Sequence, residues 1–217
     1  DICKENSLEV IWDCDENPNL DHVEQANQSD LEFLKKICKD NGKNLKVTID
    51  RIIIFDDEKY EAKRPVFFCL KPGAYGKPGS DDELLLSGIT DYKLKSKTRD
   101  VYWKCHVRYQ RTQDKTVIEG EFAAPDKTEG LILTVNEQVK DKTEADRLAK
   151  KKLREKNKEA YTGSLTLMGN FYLVAGLVIE MKGFGKFDGN YIIVKAEHQV
   201  GAAYTTSIDI RRCLSGY

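Results

Sequence analysis

The sequence predicts a mostly β member of the α+β class: a β-barrel or sandwich with one helix packed on it, plus a smaller α/β module. Three observations carry this. Residues 142–160 place Ala145, Leu148, Ala149, Leu153 and Ala160 at helical spacing among basic residues. Four apolar-patterned runs follow, 161–168, 176–182, 191–200 and 204–214, which read as an antiparallel meander. A shorter helix pattern at 29–42 lies between β-rich runs of its own.

Taken in chain order, Leu8 to Trp12 is a short apolar run that reads as the last strand of something begun earlier. Residues 13–28 are polar, with Asn17-Pro18-Asn19 as a turn signal. Ser29 is placed to cap a helix, and Glu32 stands at the capping-box position. Leu31, Leu34, Ile37 and Cys38 form its apolar face, and Asn41-Gly42 ends it, with Gly42 suited to the left-handed position past the last turn. Two β-rich runs follow, 45–49 and 51–56. The second is continuously apolar after Arg51, as in a strand covered on both faces. Residues 65–70 are a further strand candidate.

The stretch from Lys71 to Ser87 breaks the pattern with Pro72, Gly73, Gly76, Pro78 and Gly79, then Asp81-Asp82-Glu83. It is the expected boundary, dividing the chain into residues 1–86 and 87–217. Beyond it, 89–95 leads into 101–110, where Val101, Trp103, Cys105, Val107 and Tyr109 alternate with Tyr102, Lys104, His106 and Arg108, the period of a half-buried strand. Runs 116–123 and 131–135 are expected to continue that sheet, separated by a Pro125-Asp126 turn. The helix at 142–160 then opens with Thr143 as its expected N-cap, Asp146 echoing a capping box. Between the second and third strands of the final meander, Asp188-Gly189 signals a hairpin.

Composition narrows the function classes. A net charge of −1 argues against a general nucleic-acid binder. No run of about 18 apolar residues is present to span a membrane. The six cysteines, Cys3, Cys14, Cys38, Cys69, Cys105 and Cys213, show neither C-x-x-C pairing nor zinc spacing with histidine, and are expected to be free thiols.

The chemical constellations each reduce to a plainer reading. His22, His106 and His198 lack the spacing of a metal pair. The Gly183–Gly189 stretch has glycines but no Gly-Lys-Ser/Thr, and joins two β patterns instead of opening a helix, so it reads as a hairpin needing positive φ. Glu119 with Glu121, or Glu180 with Glu197, could be imagined as a glycosidase pair, but acids make up 36 of 217 residues and chance pairs are expected. Asp81-Asp82-Glu83 lacks the spaced ligands of a calcium loop. Arg147, Lys150, Lys151, Lys152, Arg154, Lys156 and Lys158 give the long helix a basic excess that fits a solvated face or an acidic neighbouring subunit better than nucleic acid. No catalytic, cofactor-binding or metal-binding residue is therefore assigned.

Two patches carry a family resemblance. TEADRLAKKKLREKNKEAYTGSLTLMGN, GLVIEMKGFGKFDGNYIIVKAEHQVG and YTTSIDIRRCL resemble the C-terminal half of the phage late control D family, and QANQSDLEFLKKICKDNG, residues 25–42, is similar to that family's polar-Ser-Asp-Leu-x-Phe-Leu helix. These are baseplate hub proteins of contractile tails, related in fold to the hub part of type VI secretion spike proteins. The resemblance implies a tail-tube-like β-barrel domain at 87–217 with helix 142–160, and residues 1–86 as the remainder of a first hub domain. It implies a homotrimer joining tail tube protein to tail spike protein, without cofactor or catalytic pocket. Its place would be the virion's tail baseplate, assembled in the host bacterial cytoplasm. Family members extend further at the N-terminus, so the chain is expected to lack the beginning and to assemble poorly as it stands. The rival expectations are a tail-associated cell-wall hydrolase, which needs two convergent carboxylates, and a monomeric carbohydrate-binding β module, which needs an exposed aromatic platform.

Overall fold

The computed structural model describes residues 2–15, 17, 23–76, 84–111 and 115–217. His22, Asp81, Asp82 and Glu83 lie outside them. The described chain divides into two units, 1–59 and 60–217.

In the first unit, α1 (Ile2–Glu5) leads into β1 (Glu9–Asp13), then α2 (Asp30–Asp40), β2 (Asn44–Val47) and β3 (Arg51–Phe55). The sheet order is β1-β3-β2, with β1 parallel and β2 antiparallel to β3. The capping box at α2 is complete: Ser29 Oγ accepts from Glu32 N, and the Glu32 carboxylate accepts from Ser29 N at 3.0 Å. These bonds, from the Ser29 backbone first and its hydroxyl second, hold the Glu32 carboxyl below its ordinary value. The helix ends as the sequence predicts, with Gly42 at φ 70° and Lys43 N donating to Cys38 O at 2.7 Å. The apolar run of β3 takes the central position, but only Ile52 is fully buried, so the strand is not covered on both faces as expected.

The second unit is built on a seven-stranded sheet. Its strands are β4 (Phe67–Leu70), β5 (Leu84–Leu86), β6 (Ile89–Ser96), β10 (Tyr161–Met168), β11 (Val178–Lys182), β12 (Gly189–Val200) and β13 (Tyr204–Arg212). They lie in the order β5-β4-β11-β12-β13-β10-β6. The two outermost strands, β5 and β6, are separated in sequence only by Ser87 and Gly88. Three Cα–Cα steps from Leu86 to Ile89 reach about 11 Å at most, so the sheet must curl until the end of β5 lies near the start of β6. Leu86, Leu165, Leu167, Ile179, Met181, Ile193, Ile208 and Ile210 fill the interior of that curl.

One sheet spans the stretch at 71–87, where the sequence places a boundary. β4 and β5 flank that stretch and pair with each other in parallel, and β4 pairs with β11. Ladder hydrogen bonds across the gap bind both sides into one sheet, whatever the glycine and proline between them. The two units divide at Lys59/Tyr60, within the short helix α3 (Asp57–Glu61).

β6 and β10 pair directly, yet more than 60 residues lie between them. That excursion folds as β7 (Tyr102–Gln110), β8 (Val117–Ala123), β9 (Leu131–Val135) and α4 (Lys142–Asn157). Its strands form a sheet of their own, β8-β7-β9, in which 116–123 and 131–135 continue the strand at 101–110 as predicted, while β6 pairs with β10 in the large sheet instead. α4 lies on it and buries Ala145, Ala149 and Leu153 against Cys105, Val107 and Ile118. The approach is close: a Cβ on Gly120 would come within 2.5 Å of the Ala145 backbone. The N-cap is Asp141, whose Oδ1 accepts from Glu144 N at 2.9 Å, and not Thr143. A carboxylate one residue before the first turn caps more strongly than a hydroxyl already inside it. Asp146 instead accepts from Glu121 N at 2.8 Å, tying the helix to the edge of β8. The helix stops at Asn157, short of the expected Ala160, and the Asn157 side chain bonds to both the N–H and the C=O of Tyr102 and to the Tyr217 hydroxyl.

Candidate assembly surface

The segment joining β10 to β11 presents large apolar groups to solvent. It is held from below at four points. Gly169 N donates to Tyr204 O at 2.8 Å, and a Cβ on Gly169 would sit 2.0 Å from the Tyr204 ring, so only glycine permits this approach. Asn170 N donates to the buried Thr206 Oγ1 at 2.9 Å. The Leu173 side chain is fully buried in the barrel interior. Its carbonyl accepts from His198 Nε2 at 3.0 Å, which places the ring proton on Nε2 and leaves Nδ1 to accept from the Tyr204 hydroxyl at 2.9 Å.

Between these anchors Phe171 and Tyr172 are 66% and 62% exposed, their ring centroids 4.0 Å apart. Met168, just before them, is 68% exposed. Residues 160–179 contain no charged side chain in a chain that is 33% charged. A solvated loop in such a chain would carry charge. Fixed aromatics on an uncharged segment instead suit a protein contact, giving large area at small entropic cost.

Beneath the outer face of the barrel lies a buried charge cluster. Glu61 Oε1 accepts from Arg154 of α4 at 2.7 Å and from Arg211 of β13, and Glu61 Oε2 accepts from Leu214 N at 2.6 Å. One carboxylate thus fixes the inserted helix, the last strand of the barrel and the C-terminal segment relative to each other. Arg154 and Lys152, counted in sequence with the solvated basic face, are committed inward to Glu61 and across to Glu137.

The other sequence candidates do not converge. Glu119 and Glu121 lie on one face of β8, paired with Arg108 at 3.3 Å and with Lys104. The hydrogen bond from Lys104 holds the Glu121 carboxyl below its ordinary value, opposite to the shift a general acid needs. Glu180 stands opposite Asn190 on β12, seven positions before Glu197. At about 3.3 Å per residue the two are roughly 20 Å apart, too far for a glycosidase pair. His106, on β7, stands opposite Glu121, while His198 belongs to the loop anchor. Gly183, Gly185 and Gly189 take positive φ in the β11–β12 hairpin, as predicted. Among the described residues, no three His, Cys, Asp or Glu side chains gather as a metal site, and no helix is long and apolar enough to cross a membrane. The exposed Phe171-Tyr172 pair was missed from sequence; adjacent aromatics in a charge-free stretch were the available signal.

No family model and no curated protein matches the chain. Solved structures do. A 43 kDa tail protein of prophage MuSo2 from Shewanella oneidensis aligns over 97% of this chain and 61% of its own, at 12% identity and a TM-score of 0.70. The fold is that of a prophage tail protein. A tail protein from Neisseria meningitidis MC58 aligns over 94% of this chain and 61% of its own, at 15% identity and a TM-score of 0.65. A chain of the Francisella PdpA–VgrG complex aligns over 98% of this chain and 37% of its own, at 12% identity and a TM-score of 0.51. This chain therefore spans 61% of the length of each of the two tail proteins.

Proposed function

We propose that this chain is a structural subunit of a contractile phage or prophage tail, a baseplate hub that joins tail tube to spike as a homotrimer. The observation that carries the reading is the tail-protein fold, matched over 97% of the chain at a TM-score of 0.70. Residues 87–217, with β4 and β5 completing their sheet, supply the tube-like domain, and the N-terminal residues belong to a first hub domain. Its action is assembly, without catalysis or cofactor. Its partners are further copies of itself, the tail tube protein and the tail spike protein, and its place is the tail baseplate of the virion. Glu119 and Glu121, each paired with a cation, and the separated Glu180 and Glu197 offer a cell-wall hydrolase no catalytic pair.

The test is sedimentation of the full-length protein alone and with purified tube and spike proteins. A trimer that co-sediments with either partner at micromolar concentration is expected. A monomer that binds neither overturns the hub reading and leaves an isolated binding module.

A further inference from the structure

The charge of this chain is segregated. Residues 1–59 carry 15 acidic and eight basic side chains, net −7, whereas residues 60–217 carry 21 acidic and 27 basic, net +6. An overall charge of −1 conceals this. Among the described residues, each unit also ends in a strand paired on one side only. β1 is the outermost strand of the small sheet and β6 an outermost strand of the large one.

β1 carries two acids and no base, whereas β6 carries Lys93 and Lys95 against a single acid, Asp91. Along β1 and its flank, Arg51 is shared between Glu9 and Asp50, and Lys59 between Asp13 and Asp15. Two cations thus answer four carboxylates and leave a negative surplus, beside the exposed apolar side chains of Val10 and Trp12. On β6, Leu94 packs against the barrel interior, so Lys93 and Lys95 point outward. Across the ladder they meet Ser164 and Thr162, which carry no charge, and Arg99 follows, exposed.

We propose that copies of this chain associate head to tail, the acidic β1 edge of one copy lying along the basic β6 strand of the next. The occupant is a second copy because both complementary edges belong to one sequence, and a contact between two different patches closes into a ring when the rotation allows it. Complementary edges steer encounter and set register, and like edges repel. The inference rests on the assembly reading and assigns its self-contact.

The experiment is a charge-swap complementation with the whole chain, read by sedimentation velocity at low and high salt. One variant is Glu9→Lys with Asp15→Lys, the other Lys93→Glu with Lys95→Glu. All four positions are exposed, and circular dichroism checks that both variants fold. Wild type is expected to associate at low salt and less at high salt. Each variant alone should lose about tenfold or more in association, and a chain carrying all four substitutions should regain it, because every contact of a three-membered ring is then complementary again. A wild type monomeric at low salt, an association indifferent to either swap, or a fourfold variant that stays monomeric each overturn the proposal. If the same protein still binds tube or spike, the hub reading survives that failure.

Discussion

Glu61 and Arg154, 93 positions apart in sequence, meet at 2.7 Å with their side chains 2% and 11% exposed. Arg211 shares the same carboxylate oxygen. Removing the single acid would leave two buried guanidinium groups without their counter-charge. Glu61→Gln should destabilise the protein by about 3–5 kcal/mol, the range for breaking a buried pair. Denaturant unfolding measures it. A loss below about 1 kcal/mol would mean that water reaches the cluster and the pair behaves as a surface one.

Leu153 makes the matching apolar test. The sequence identifies it as a core residue of the long helix, and it is fully buried among Ala145, Ala149, Cys105 and Val107. Leu153→Ala should cost about 2–5 kcal/mol. Because Gly120 lets the helix lie so near β8, Gly120→Ala should destabilise as well, through backbone displacement and not through a cavity.

What the sequence made legible was local. The Ser29–Glu32 box, the Gly42 stop and the Asp188-Gly189 hairpin each depend on a few neighbouring residues, and each is present. The errors came where a distant partner decides. Leu84–Leu86 is a three-residue strand with no periodicity of its own, made a strand by pairing with β4. β7, β8 and β9 have ordinary half-buried patterns, which cannot say which sheet they join; α4 covering their inner face decides it. The candidate surface was illegible because exposure of Phe171 and Tyr172 follows from anchors at Tyr204, Thr206 and His198, over 25 residues away.

Asp50 predicts part of the acid response. The Arg51 side chain, bonded to it at 2.6 Å, lowers its carboxyl to about 2. In the unfolded chain a carboxyl of this type titrates near 3.9. The folded state therefore binds fewer protons, so this contribution is complete above about pH 4 and lost as pH falls from about 4 to about 2. Asp50→Asn should lower Tm near neutral pH, where the pair contributes, and flatten its fall in that window, so that variant and wild type converge at the acid end. An unaltered acid limb would show that the pair contributes nothing there.

No disulfide joins the six cysteines. Burial pushes the Cys69 thiol up to about 12 and, as the leading cause, the Cys105 thiol up to about 11, so neither supplies much thiolate near neutral pH. Alkylation without reductant should modify all six under denaturing conditions. Under native conditions it should spare Cys69 and Cys105, both fully buried. Mass spectrometry distinguishes this from an oxidised set, in which thiols would be missing even after denaturation.

The Phe171-Tyr172 pair separates assembly from stability. Both rings are largely exposed, while Leu173 and Gly169 hold the segment in place, so truncating the rings removes contact area without disturbing the anchors. Phe171→Ser with Tyr172→Ser should leave folding free energy within about 0.5 kcal/mol per site. If the segment is a contact surface, the same change should weaken partner binding at least about tenfold, since exposed aromatics dominate such interfaces. The control is Leu173→Ala, which should destabilise by about 2–5 kcal/mol because it empties part of the barrel interior. Calorimetry of each variant, with sedimentation against the tube and spike proteins, reads both quantities. Unchanged binding by the double variant would remove this segment from the assembly surface and direct attention to the charged edges.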